Sequence, residues 1–208
     1  VETHENAGVI RYTESGELQM VSYGISGIPV FQLSGLVNRR MYEMSQSLKK
    51  KQGKEETVCA VIDFLPEVSG KELKALLAKR CETVIYEQGT VEEFFTGLLN
   101  KKLMLQFVKK AGLKGDEKVS CVSEKKLWSV LELCKGLKMH VTASNGYENA
   151  QVCTGGINLK EVSENLESLK AKGVYFAGEI LDVDGRCGGY NLQWAWTSGA
   201  IAGKAAAK

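Results

Sequence analysis

The order of apolar and polar positions divides the chain into a β-rich start, a helical middle, and an end that reads as strand, turn and helix. Between Gly8 and Ser22 the runs VIRYT and ELQMVS, separated by Glu14, Ser15 and Gly16, predict a β-hairpin. GISGIPVFQLSGLVNRRMYEMS then opens on a Gly-Ser-Gly turn and continues as a helix near residues 28–48. Pro29 suits the first helical turn, where its missing N–H is no loss. Residues 58–66, VCAVIDFLP, form a nearly continuous apolar run closed by Pro66 and predict a buried strand.

From Ser69 to Gly136 the period is helical. Ser69 and Glu72 form a capping box, followed on one face by Leu73, Leu76, Leu77, Cys81, Val84 and Ile85. Thr90 and Glu93 form another, ahead of Val91, Phe94, Phe95 and Leu98. A third helix carries Leu103, Met104, Phe107, Val108 and Ala111 and stops at Gly112. A fourth follows Ser123, carries Leu127, Val130, Leu131 and Cys134, and stops at Gly136. Aromatic and Met positions at this spacing could line a groove, but a packed core is the better reading. The chain then turns β again: KMHVTAS and ENAQVCTGG flank Asn145-Gly146, a hairpin signal. Last come a short apolar strand, GVYFAGE at 173–179, and a helix from about Asn191 to Gly203.

Composition narrows the function classes. Lys and Arg number 27 against 25 Asp and Glu, and the one basic run is Lys49, Lys50, Lys51 and Lys54, so nucleic acid is not expected as a partner. No apolar stretch approaches the roughly 18–20 residues of a membrane span, and VETHENAG lacks the apolar core of a signal peptide. These features predict a cytoplasmic protein without a membrane partner. The six cysteines contain no CxxC pair, and His4 and His140 stand far apart, so neither a metal site nor a disulfide framework is expected. Cys81 and Cys134 fall on apolar helical positions and read as small buried hydrophobes. Cys187, inside the glycine-rich turn, is either a tolerated loop residue or a reactive thiol.

The candidate chemistry lies in the turn LDVDGRCGGYN, residues 181–191. A helix start leaves backbone N–H groups free and carries partial positive charge, which favours an anion or an electron-rich carbonyl. Gly185, Gly188 and Gly189 let that backbone approach a ligand without a Cβ clash. Glu179, at the carboxyl end of the strand, is placed to accept hydrogen bonds from sugar or ribityl hydroxyls. Gly199 and Gly203, four residues apart, suit close packing of the helix on a sheet.

The wording YFAGE-x-LDVDG-x-x-GGYN-x-QWA-x-x-SG-x-x-AG resembles the last strand and helix of a bacterial family of NAD(P)/FAD-dependent flavoproteins, the aminoacetone oxidase-like or bile-acid dehydro-reductase-like group. AQVCTGGINLKEV and YGISGIPVFQLS are similar to two further stretches of that family, although Ile28 here intervenes before the proline. The resemblance implies a mixed α/β (α+β) chain: part of a β-rich insertion domain at 1–66, a helical subdomain at 67–137, return strands at 138–156, and the C-terminal piece of an FAD-binding Rossmann-like domain at 157–208. It implies FAD as cofactor, NAD(P)H as a further one, and a small-molecule substrate. The implied cofactor-binding residues are Gly178, Glu179, Asp184, Gly188, Gly189, Tyr190, Asn191 and Leu192, with Thr154, Gly155 and Gly156 opposite. No acid, base or nucleophile is assigned; Tyr190 and Glu179 are the side chains nominated. No G-x-G-x-x-G occurs in the 208 residues, so a fragment lacking the main dinucleotide-binding lobe is expected, one that holds flavin weakly by itself. The alternative is a binding or regulatory module that works without cofactor.

Overall fold

The computed structural model describes residues 2–5, 8–49 and 57–208. Of the lysine run, Lys50, Lys51 and Lys54 lie outside them. The chain is a mixed α/β protein that divides into two compact units, Cys59–His140 and the combination of Val1–Val58 with Val141–Lys208.

The first unit is built on helices. Strand β5 (Val58–Ile62) pairs antiparallel with β6 (Leu137–His140), in the register Cys59 to His140 and Ile62 to Leu137. Between them run α2 (Gly70–Cys81), α3 (Val84–Gln88), α4 (Val91–Phe94), α5 (Lys101–Lys110) and α6 (Glu124–Gly136). Both capping boxes form. Ser69 Oγ accepts from the Glu72 amide while Glu72 Oε2 accepts from the Ser69 amide, and Thr90 and Glu93 repeat the arrangement. These amide donors hold the carboxyl groups of Glu72 and Glu93 below their ordinary range. Asn100 caps α5 through the Lys102 amide.

The predicted helical faces meet in a packed core: Leu73, Val91, Phe94, Phe95, Phe107, Leu127 and Leu131 are essentially sealed from solvent. Each such side chain contributes about 1.5–3 kcal/mol of transfer free energy. Phe94 and Phe95 meet edge-on at 5.1 Å, and Phe64 tilts against Phe107 at 5.4 Å. Packing therefore absorbs the aromatic and Met positions. Arg80 donates to the carbonyls of Phe94 and Thr96 and ties α2 to the end of α4. Cys134 is buried as expected, which pushes its thiol up to about 11, whereas Cys81 is only partly covered.

Several expectations are corrected. Val84 and Ile85 do not extend the face of α2; Glu82 ends that helix, Thr83 starts α3, and both side chains stand exposed. Strand β5 stops at Ile62, because Asp63 Oδ1 accepts the Leu65 amide and turns the chain, while Phe64 N–H donates to Cys134 O on α6.

In the second unit, VIRYT does not pair with ELQMVS. Strand β2 (Gly8–Arg11) pairs with β1 (Glu2–Glu5), and β3 (Gln19–Val21) pairs with β4 (Gly24–Ser26) across a turn at Ser22 and Tyr23. Helix α1 (Ile28–Lys49) follows β4 through Gly27. Gly27 has φ +104, and a Cβ on it would lie 2.4 Å from Glu17 O, so this turn requires glycine. Asn145-Gly146 makes no hairpin, since Gly146 sits at φ −69 instead of the positive φ such a turn demands. A 3-10 turn at Tyr147–Asn149 follows it. Residues 173–179 form no regular strand. Tyr175 bridges to Glu167 and the Phe176 amide donates to Leu166 O, after which Gly178, at φ +73, turns the chain into a 3-10 turn at Gly178–Ile180. Helix α7 (Tyr190–Ala206) closes the chain. A small core of Val162, Leu166, Leu181 and Ala202, flanked by Phe176, Trp194 and Ile201, packs this C-terminal part together. Among the described residues no helix is long and apolar enough to cross a membrane.

Candidate functional site

The turn before α7 is held in shape by one side chain. Asn191 Oδ1 accepts the Gly185 amide at 2.8 Å and its Nδ2 donates back to Gly185 O at 3.0 Å, closing residues 185–191 into a loop. Gly188 and Gly189 have φ +122 and +94, the region that disfavours side chains. A Cβ on Gly189 would meet nothing within 4 Å, so open space adjoins this backbone. Gly189 is the N-cap of α7 and lacks a side chain to cap with; the first turn also carries no acidic residue. The first intrahelical bond runs from the Gln193 amide to Gly189 O, and the amides of Tyr190, Asn191 and Leu192 have no acceptor among the described residues. The combination offers uncapped donors at the positive end of a helix beside room for a ligand.

A second set of contacts brings the Thr154-Gly155-Gly156 stretch against residues 178–182. Glu179 Oε1 accepts the Cys153 amide at 2.7 Å. Ile157 N–H donates to Ile180 O at 2.8 Å and Asp182 N–H donates to Ile157 O at 3.0 Å, forming a parallel bridge between Ile157 and Leu181. A Cβ on Gly156 would lie 2.5 Å from Ile180 O, so this glycine serves the approach of two protein backbones. Gly155, at φ +101, has nothing within 4 Å of its Cβ position. Gly178 is fastened to α7: its amide donates to Ser198 Oγ at 2.8 Å and its carbonyl accepts from Trp194 Nε1 at 3.2 Å. Ser198 is fully buried and its hydroxyl donates a hydrogen bond to Trp194 O.

Helix α1 supplies a residue that the sequence reading did not single out. A methyl group on Gly35 would lie 3.8 Å from Thr154 Cγ2 and 3.9 Å from Asp184 Oδ2, so Gly35, Thr154 and Asp184 meet across long sequence separations. The available signal was a glycine inside a helix, which costs about 1 kcal/mol relative to alanine, although a Cβ at this position would make only ordinary contacts. Arg186 donates through one guanidinium nitrogen, Nη2, to both carboxylate oxygens of Glu14 (3.0 and 2.8 Å), linking the glycine-rich turn to the N-terminal segment. Cys187 is half-buried in this turn.

Of the residues singled out from sequence, the structure brings the stretch Thr154, Gly155 and Gly156 to Gly178 and Glu179 in one hydrogen-bonded junction, and Asp184, like Thr154, lies next to Gly35. Gly188, Gly189, Tyr190, Asn191 and Leu192 form the helix start. Asn191 points back into its own turn, and Tyr190 and Leu192 stand exposed. Glu179 spends one carboxylate oxygen on the Cys153 amide, which leaves Oε2 for any further hydroxyl.

A family profile described as the HI0933-like protein Rossmann domain matches residues 38–205. The chain is 39% identical over 196 residues to the 3-dehydro-bile acid delta(4,6)-reductase of Clostridium scindens, a match covering 94% of this chain and 45% of that protein. It is 36% identical over 102 residues to the ribosomal RNA dihydrouridine synthase of Haemophilus influenzae, covering 49% of this chain and 25% of that one. It is also 44% identical over 62 residues to the Escherichia coli protein of the same description, covering 29% and 16%. The chain thus spans less than half the length of these curated relatives.

Proposed function

We propose, for a chain that belongs to the HI0933-like Rossmann-domain family, that it forms part of a flavin-dependent reductase acting on a small organic substrate, with NAD(P)H as the electron source. The observation that carries the reading is the start of α7, where two glycines at positive φ, open space and three amides without acceptors coincide. Bound FAD would supply the ring that accepts and passes on hydride or electrons.

This chain's residues have separate tasks in that reading. The amides of Tyr190, Asn191 and Leu192 donate to an electron-rich carbonyl edge and stabilise negative charge that develops there. Gly188 and Gly189 admit the ring to the backbone, and Asn191 fixes the turn so that the amides need no reorganisation. Glu179 Oε2, left over by the Cys153 amide, and the Thr154 hydroxyl would serve hydroxyl groups of the bound molecule. A small organic substrate is favoured over RNA because the bile-acid reductase match runs over 94% of the chain and the ribosomal RNA dihydrouridine synthase matches over 49% and 29%.

Titrating FAD into the 208-residue chain and into Gly189→Val, read by quenching of flavin fluorescence, tests the assignment. Valine fills the open space beside the amides, and affinity should fall about tenfold or more, equivalent to about 1.4 kcal/mol. Equal affinity in the two proteins would overturn it and leave residues 185–191 as a structural turn.

A further inference from the structure

Outside the site above, the helical unit holds a thiol paired with a base. Cys59 on β5 and His140 on β6 are register partners, and Cys59 Sγ lies 3.4 Å from His140 Nδ1. Directly opposed residues in an antiparallel pair project to the same face, so this proximity is set by the ladder. The register is fixed on the other face, where Leu137 is buried and Ile62 and Met139 pack against the helical core; a one-residue slip of either strand would turn its own member of the Cys59–His140 pair inward. Lys138, opposite Val61, shares the face of Cys59 and His140 and adds a positive charge one diagonal step away. His140 is exposed and Cys59 is partly so, and a reagent therefore reaches the pair from solvent.

We propose that Cys59 is an electrophile-reactive modification site of this chain, with His140 as its base, and that it adds to small α,β-unsaturated carbonyl compounds. In the tautomer that carries its proton on Nε2, His140 presents Nδ1 as acceptor for the thiol proton. As the proton passes to Nδ1, the sulfur lone pair forms an S–C bond to the β-carbon of the acceptor. The carbon–carbon π pair shifts to the α-carbon as an enolate, which takes a proton back from the imidazolium. The product is a thioether, imidazole is regenerated, and no oxidant or leaving group is required. A thiol and an imidazole within reach of each other are the geometric requirement for such activation. Among the described residues no other cysteine contacts a histidine: Cys121 and Cys153 are exposed, Cys81 and Cys187 are partly covered, and Cys134 is buried.

The experiment is competitive labelling of the 208-residue chain at neutral pH with limiting N-ethylmaleimide, followed by peptide mass spectrometry that gives a rate for each cysteine. Cys59 should react faster than the more exposed Cys121. In His140→Gln and His140→Asn its rate should fall about tenfold or more, while that of Cys121 stays unchanged. Cys134, protected by burial, reports in the same spectra that the fold survives each substitution. A wild-type Cys59 no faster than Cys121 overturns the proposal by itself, whatever the variants do. So does a Cys59 rate unmoved by either substitution with Cys134 still protected.

Discussion

Replacing Gly156 with alanine should open the junction between residues 156–157 and 180–182 and leave the rest of the chain in place. The backbone at Gly156 has φ +144, and a Cβ there would stand 2.5 Å from Ile180 O and 3.1 Å from the Asp182 amide nitrogen. The unfavourable dihedral alone costs about 1–3 kcal/mol. The carbonyl cannot swing aside freely, because Ile180 O accepts the Ile157 amide at 2.8 Å while Ile157 O accepts the Asp182 amide at 3.0 Å. Relieving the clash gives up both hydrogen bonds, each worth about 0.5–1.5 kcal/mol net, so the combined cost is about 2–6 kcal/mol. Gly155→Ala is the control: its φ is +101 but its Cβ position is empty, so it carries the dihedral cost without the clash. Amide hydrogen exchange at Ile157 and Asp182 reads the junction directly, each 1.4 kcal/mol of lost protection giving a tenfold faster rate. Exchange should accelerate clearly more in Gly156→Ala than in Gly155→Ala. Equal rates in the two variants would refute the close-approach account and return Gly156 to the ligand-facing role that its sequence suggested.

Two further outcomes follow from the helical unit. Phe94→Ala empties a site that is 1% exposed and lined by Phe95 and Tyr86, and should lower the unfolding free energy by about 3–5 kcal/mol in a denaturant titration; a loss below 1 kcal/mol would mean the core re-closes. The capping carboxyl groups of Glu72 and Glu93 are held below their ordinary range by the amides they accept, so their contribution is present at neutral pH and disappears as pH falls through the depressed pKa. Melting of Glu72→Gln and Glu93→Gln against wild type should therefore differ at neutral pH and converge in acid, where the wild-type carboxyl groups are neutral too, and a gap that persists there would show that the caps act without the carboxylate charge.

Local signals were legible wherever the residues that define an element are neighbours in sequence. Ser69 with Glu72 and Thr90 with Glu93 announce helix starts, Gly112 and Gly136 announce ends, and the apolar stripes of α5 and α6 name their buried residues. The turn before α7 was also visible, because three glycines and an asparagine within seven residues encode its shape. Strand partners were not visible. VIRYT alternates equally well for β1 as for ELQMVS, and Asn145-Gly146 is only a propensity that yields when no strand lies opposite to complete a ladder. The tertiary structure alone decided that Gly35 reaches Thr154 and Asp184, that Glu179 holds the Cys153 amide, and that Cys59 meets His140. Each of these pairs is separated by tens of residues, and its distance depends on how whole elements pack. Periodicity specifies which face of an element is buried, but it carries no information about which other element will cover it.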